Sequence, residues 1–155
     1  MTCARRYGVM KRALLFLLFT ACATQRVPAR YESPVVAYPM AAMIESGEVK
    51  DSFTNLIRMA GYGKRADERA GFLVLEHGHI RLEAWPATNG YHAAEWAGAI
   101  PAGTVALAHT HPQQFPEASV QDRNEAQRLG IPIFVLTPQS VVMIDPRDGR
   151  ALSIR

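Results

Sequence analysis

Cysteine is nearly absent: the 155-residue chain has two, Cys3 and Cys22, both within its first 22 positions. Residues 23–155 hold no thiol, which excludes a disulfide framework and any metal site built on cysteine sulfur. A long hydrophobic run is missing too. The apolar stretch from Ala13 to Cys22 is about ten residues, well short of the roughly 20 that a membrane-spanning helix needs. Basic charge is lacking where it would matter. The chain carries a formal +3 and a pI near 9.1, but Arg5, Arg6, Lys11 and Arg12 precede position 22, where no acid occurs. With those four set apart from the 17 bases, 13 bases face 14 acids. A nucleic-acid binder needs a basic stripe on its folded body, and none is written here. No nucleic-acid partner is expected, and no internal repeat is visible.

What is present suits one compact domain: 48% hydrophobic and 20% charged residues can bury a core. Lys11-Arg12, the apolar run and the small-residue exit have the form of a secretory signal. Phe19-Thr20-Ala21-Cys22 resembles the lipobox of bacterial lipoproteins, with Phe where Leu is usual. The resemblance implies lipidation at Cys22, membrane attachment through that lipid, and residence in the bacterial envelope at the outer membrane or periplasmic face. A plain secreted form is the alternative, and Met10, just before the charged pair, is a second possible start. Residues 1–22 are thus expected as leader, 23–41 as a proline-bearing tether, and 42–155 as the folded domain.

Within that domain Val49, Phe53, Leu56, Ile57 and Ala60 recur at helical spacing, and Gly61 follows as a stop. Two strands, about Gly71–Glu76 and His79–Trp85, flank a His77-Gly78 turn. A long connection over residues 86–103 follows, with a short helix expected around 93–96. Thr104–Ala108 suits a buried strand and Ser119–Leu129 a helix ending at Gly130. Ile133–Thr137, Val141–Asp145 and an edge strand at Ala151–Ile154 complete the pattern. The fold class expected is α/β, a mixed sheet flanked by helices.

The chemistry gathers in His109-Thr110-His111-Pro112 and Ser119-Val120-Gln121-Asp122. Strand alternation sets His109 and His111 on one face. Ser119 and Asp122 share one face of a helix's first turn. Two imidazoles and a carboxylate leave a fourth tetrahedral position for water, the arrangement of catalytic zinc. Each half also has a plain reading. His-x-His occurs without metal, and Ser-x-x-Asp is a helix-capping pattern.

Taken together, residues 109–122 resemble the JAMM/MPN metallopeptidases, whose signature is H-x-H, seven residues, then S-x-x-D. The family also carries an upstream glutamate shortly before a glycine, matched by Glu68-Arg69-Ala70-Gly71. The likeness spans about residues 42–145. It implies a JAMM/MPN, cytidine-deaminase-like architecture and one Zn²⁺ per chain held by His109, His111 and Asp122. It implies further that Glu68 takes a proton from the metal's water and returns it to the leaving amine, and that Ser119 donates to the oxyanion. Asp67 is a rival base outside the family spacing. A deaminase would need a Pro-Cys-x-x-Cys pair, which is missing.

The expected activity is zinc-dependent hydrolysis of a peptide or isopeptide bond in a peptide or protein substrate. The alternative is a non-catalytic binding or scaffold lipoprotein of the same fold. His77 and His79, a second His-x-His, are expected in a solvated turn. Trp85, Trp96 and His92 sit in or beside the long connection, the tryptophans chiefly as packing.

Overall fold

The computed structural model describes residues 38–64, 67–87, 94, 96–112 and 117–154, all within one compact unit, Glu32–Arg155. The expected leader, Cys22 and most of the expected tether lie outside these residues, as do His92 and part of the short helix expected around 93–96.

Helices α1 (Met40–Glu45) and α2 (Gly47–Met59) are followed by a 3-10 turn at Gly61–Gly63. Strands β1 (Ala70–Glu76), β2 (His79–Ala84) and β3 (Thr104–Thr110) come next. Helix α3 (Val120–Leu129) precedes β4 (Ile133–Leu136), β5 (Val141–Ile144) and β6 (Ala151–Ile154). The six strands form one mixed sheet in the order β2-β1-β3-β4-β5-β6, in which only the β3–β4 pair is parallel. That pair is joined through α3, as a parallel connection requires a crossover. Among the described residues no helix is long and apolar enough to cross a membrane.

The α/β expectation holds at this level, and most elements stand where periodicity put them. Two differences have local causes. The single helix expected from about 42 is two, because Ser46 takes an extended ψ of 130° between them. The first begins at Met40, and Tyr38 and Met40 pack against the core. Strand β3 also runs on past Ala108 through Thr110, so His109 is itself a strand residue. Polar residues there read as loop in the sequence, but β1 and β4 pair with them from both sides.

Each face of the sheet is sealed separately. On one side Val49, Phe53 and Leu56 of α2 meet Leu73, Ala106, Ala108, Phe134 and Leu136. Phe53 and Phe134 lie tilted at 5.0 Å between centroids, a favoured aromatic pairing. On the other side Ala126 of α3 meets Leu107, Ile133, Val135 and Ile144. Phe72, Trp85 and Trp96 extend this layer as a mutual cluster with centroids 5.2–5.8 Å apart, so the tryptophans do pack.

Gly71, the glycine of the Glu-x-x-Gly element, has a packing reason to be there. A Cβ at this position would come within 2.6 Å of Leu82 Cδ1 and 2.8 Å of the Glu83 carbonyl. Any side chain would push β2 off β1. The His77-Gly78 turn, with φ of 51° and 84°, closes that hairpin in the left-handed conformation that two-residue hairpin turns demand.

Candidate metal centre

His109 pairs with Val135 on β4 and with Ala70 on β1, and shares its face with Leu107 of the α3-side core. His111 lies just beyond the strand, its backbone N–H held by the Leu136 carbonyl at 2.8 Å. Both imidazoles therefore emerge at the C-terminal end of β3 on the face that α3 covers.

Helix α3 starts at the same place. Ser119 is its N-cap: the hydroxyl accepts the Asp122 N–H at 3.1 Å, and Asp122 Oδ2 accepts the Ser119 N–H at 2.7 Å. The capping reading of Ser-x-x-Asp is thus realised in full. The Ser119 hydroxyl also donates to Asp122 Oδ2 at 2.7 Å. With Oδ2 occupied twice, Oδ1 is turned toward His109 Nε2, 3.3 Å away. A cap and a candidate ligand are one arrangement here.

Three donors converge. His109 Nε2 and His111 Nε2 stand 3.1 Å apart, and His111 Nε2 lies 3.7 Å from Asp122 Oδ2. A tetrahedral ion with bonds of about 2.0–2.1 Å spaces its donors by about 3.3 Å. The His109–His111 and His109–Oδ1 separations of 3.1 and 3.3 Å match that value, while the 3.7 Å approach of His111 is to the other carboxylate oxygen, Oδ2. One donor atom from each residue lies within 4.8 Å of the others. The donor set is imidazole and carboxylate, which zinc accepts. The three residues fit the ion, and among the described residues they are the one group of this kind.

Burial favours the neutral imidazole. The side chains of His109, His111 and Asp122 are 8, 11 and 15% exposed. Desolvation holds the His109 pKa down at about 4, with Asp122 pulling it up and His111 adding to the depression. His109 consequently offers a lone pair, as a ligand must.

Glu68 stands two residues before β1. Ala70 pairs with His109, and the Thr110 N–H donates to the Arg69 carbonyl at 2.8 Å, so Glu68 is the next residue of the chain beyond the last contacts between the β1 and β3 segments. The backbone brings Glu68 to the same sheet end as the three donors. Nearby, Arg69 Nε and Trp85 Nε1 are buried donors with no hydrogen-bond partner among the described residues.

The other candidates sort by position. His77 and His79 are exposed on the hairpin, and His79 Nδ1 lies 2.8 Å from Glu48 Oε1 of α2. Asp145 and Asp148 serve turns, Asp145 Oδ1 accepting the Arg147 N–H and Asp148 Oδ1 the Arg150 N–H. One participant escaped the sequence reading: Thr110, which is 3% exposed and whose hydroxyl accepts the Arg69 N–H at 2.9 Å. Its only signal was a hydroxyl between two histidines. No protein-family model and no curated protein matches the chain.

Proposed function

We propose that this protein is a zinc-dependent hydrolase of peptide or isopeptide bonds, of the JAMM/MPN type that its His109–Asp122 spacing resembles. The observation that carries this is the meeting of two imidazole nitrogens and the Asp122 carboxylate within ligating reach of one another, at the sheet end where the segment entering β1 carries Glu68. His109, His111 and Asp122 hold the ion. Zinc bound there makes water deprotonation accessible near neutral pH and polarises a carbonyl. Glu68 accepts the water's proton and passes it to the leaving amine. Ser119 holds Asp122 in its ligating orientation; donation to an oxyanion requires its hydroxyl to rotate away from Oδ2.

The test is metal content followed by turnover. Wild type is expected to hold about one zinc per chain, released by chelation. Glu68→Gln is expected to retain zinc and lose hydrolysis, read by comparing peptides released from envelope extracts treated with either protein. Retained turnover in Glu68→Gln removes Glu68 from the base role.

A second reading has its own support. The Ser119–Asp122 pair is a complete capping box without any metal, and two imidazoles at 3.1 Å can share a proton. A non-catalytic binding or scaffold module of the same fold would look like this. Folded protein that stays metal-free in excess zinc selects that reading. On either reading we place the chain in the bacterial envelope, anchored through a lipid on Cys22. Membrane fractionation of Cys22→Ala, expected to release the protein, checks the anchor.

A further inference from the structure

We infer that Thr110 is a positioning residue for Glu68: its buried hydroxyl fixes the peptide unit through which the proposed base enters the metal centre. The inference rests on the zinc-hydrolase reading and adds to it a residue that acts through another.

Thr110 grips one neighbour at both of its backbone groups. Its hydroxyl accepts the Arg69 N–H at 2.9 Å, and its own N–H donates to the Arg69 carbonyl at 2.8 Å. The Arg69 N–H belongs to the peptide bond that joins Glu68 to Arg69. Strand β1 begins one residue later, at Ala70, and residues 67–69 are not strand. Glu68 therefore stands outside the regular ladder, and the side-chain bond from Thr110 replaces the rung that a strand would have supplied. The N–H of the Glu68–Arg69 peptide is thereby held by the Thr110 hydroxyl, and the next peptide, through the Arg69 carbonyl, by the Thr110 N–H.

The ligands do not need this bond. His109 is held by β1 and β4 pairing, and His111 by the Leu136 carbonyl. Asp122 is held by Ser119. Thr110 lies between the two histidines in sequence, yet its hydroxyl is spent on the segment that carries the glutamate. At 3% exposure it has little water to compete for that bond.

An outer-shell partner of a metal site is worth roughly 10–100-fold in metal affinity, and a residue that positions such a partner draws on the same contribution. Zinc affinity, measured by chelator competition, therefore reads the coupling without any substrate. Glu68→Ala is expected to weaken zinc by about tenfold. Thr110→Val, which keeps shape and loses the hydroxyl, is expected to weaken it by a similar factor. Thr110→Ser restores wild-type affinity. In the Glu68→Ala background, Thr110→Val has no further effect.

An equal loss from Thr110→Val in both backgrounds overturns the proposal, because the threonine would then act on the ligands directly. So does an unchanged affinity in Thr110→Val when Glu68→Ala is weakened. If Glu68→Ala binds zinc as wild type does while Glu68→Gln has lost hydrolysis, the base reading stands and the positioning role is overturned; retained turnover in Glu68→Gln instead removes the base reading. Amide hydrogen exchange on the wild-type protein covers the case in which a variant does not fold. The Arg69 amide is expected to exchange as slowly as strand amides such as Leu75, and rapid exchange at Arg69 overturns the proposal.

Discussion

The chain carries two His-x-His pairs, and they end in opposite circumstances. His109 and His111 close an interior strand, are nearly enclosed, and receive Asp122 from α3. His77 lies in the turn of an edge hairpin and His79 opens its second strand, where the His79 side chain is 79% exposed. Each region meets a carboxylate from the first turn of a helix. Asp122 gives Oδ2 to its cap, with His111 Nε2 3.7 Å from that oxygen, and presents Oδ1 to His109 at 3.3 Å. Glu48 spends one oxygen on the Ile80 N–H at 2.7 Å and the other on His79, which ties α2 to β2. The same local pattern makes a candidate metal centre in one place and a strap in the other. Enclosure, and a second imidazole within reach, separate them.

The largest expected contrast is in metal binding. Asp122→Ala or His109→Ala should lower zinc affinity beyond the roughly 10–100-fold that loss of an outer partner costs. His77→Ala and His79→Ala should leave one zinc per chain, counted by elemental analysis after dialysis. Zinc lost from the hairpin variants would erase the distinction.

Acid sharpens the same contrast in zinc-free protein. The unfolded imidazole takes its proton near 6.5, whereas burial keeps His109 neutral down to about 4. Between those values the unfolded chain binds the extra proton, so stability falls as pH drops through the window. Glu48 has the opposite sign of group. The Ile80 N–H, and after it His79, hold its pKa below the usual 4.5. Its contribution is intact above that value and disappears only at lower pH. Denaturant midpoints from pH 8 to 4 should decline in wild type and in His79→Ala, and much less in His109→Gln.

A smaller effect is expected at the cap. Ser119→Ala removes a side chain that serves both the helix and the ligand. It should cost about 1 kcal/mol in zinc-free protein and lower zinc affinity by about tenfold. Thermal melts with and without metal separate the two. The smallest effect is at the strap, where His79→Ala should leave Tm almost unmoved, since its partner's main bond is to a backbone N–H.

Much of the scaffold was legible because it follows from short-range periodicity. The β1–β2 hairpin, α3 and the late strands lie within a residue or two of expectation, each marked by alternation or by a glycine stop. The break at Ser46 was not legible, because apolar residues continue on both sides and only the backbone turns. Nor was the length of β3, since polar residues at 109 and 110 resemble a strand's end until β1 and β4 are seen to pair with them.

The candidate site divides in the same way. Alternation by itself put His109 and His111 on one face, and the helical turn put Ser119 beside Asp122, because both relations span four residues or fewer. That the cap and the candidate ligand coincide, that Glu68 comes to the same sheet end, and that Thr110 binds the Arg69 backbone beside it were decided only by the tertiary structure. Each depends on the β1–β3 register and on the crossover through α3, which join residues up to 54 positions apart. Contacts of that range follow from burying both faces of one sheet at once, a condition no local stretch of sequence states.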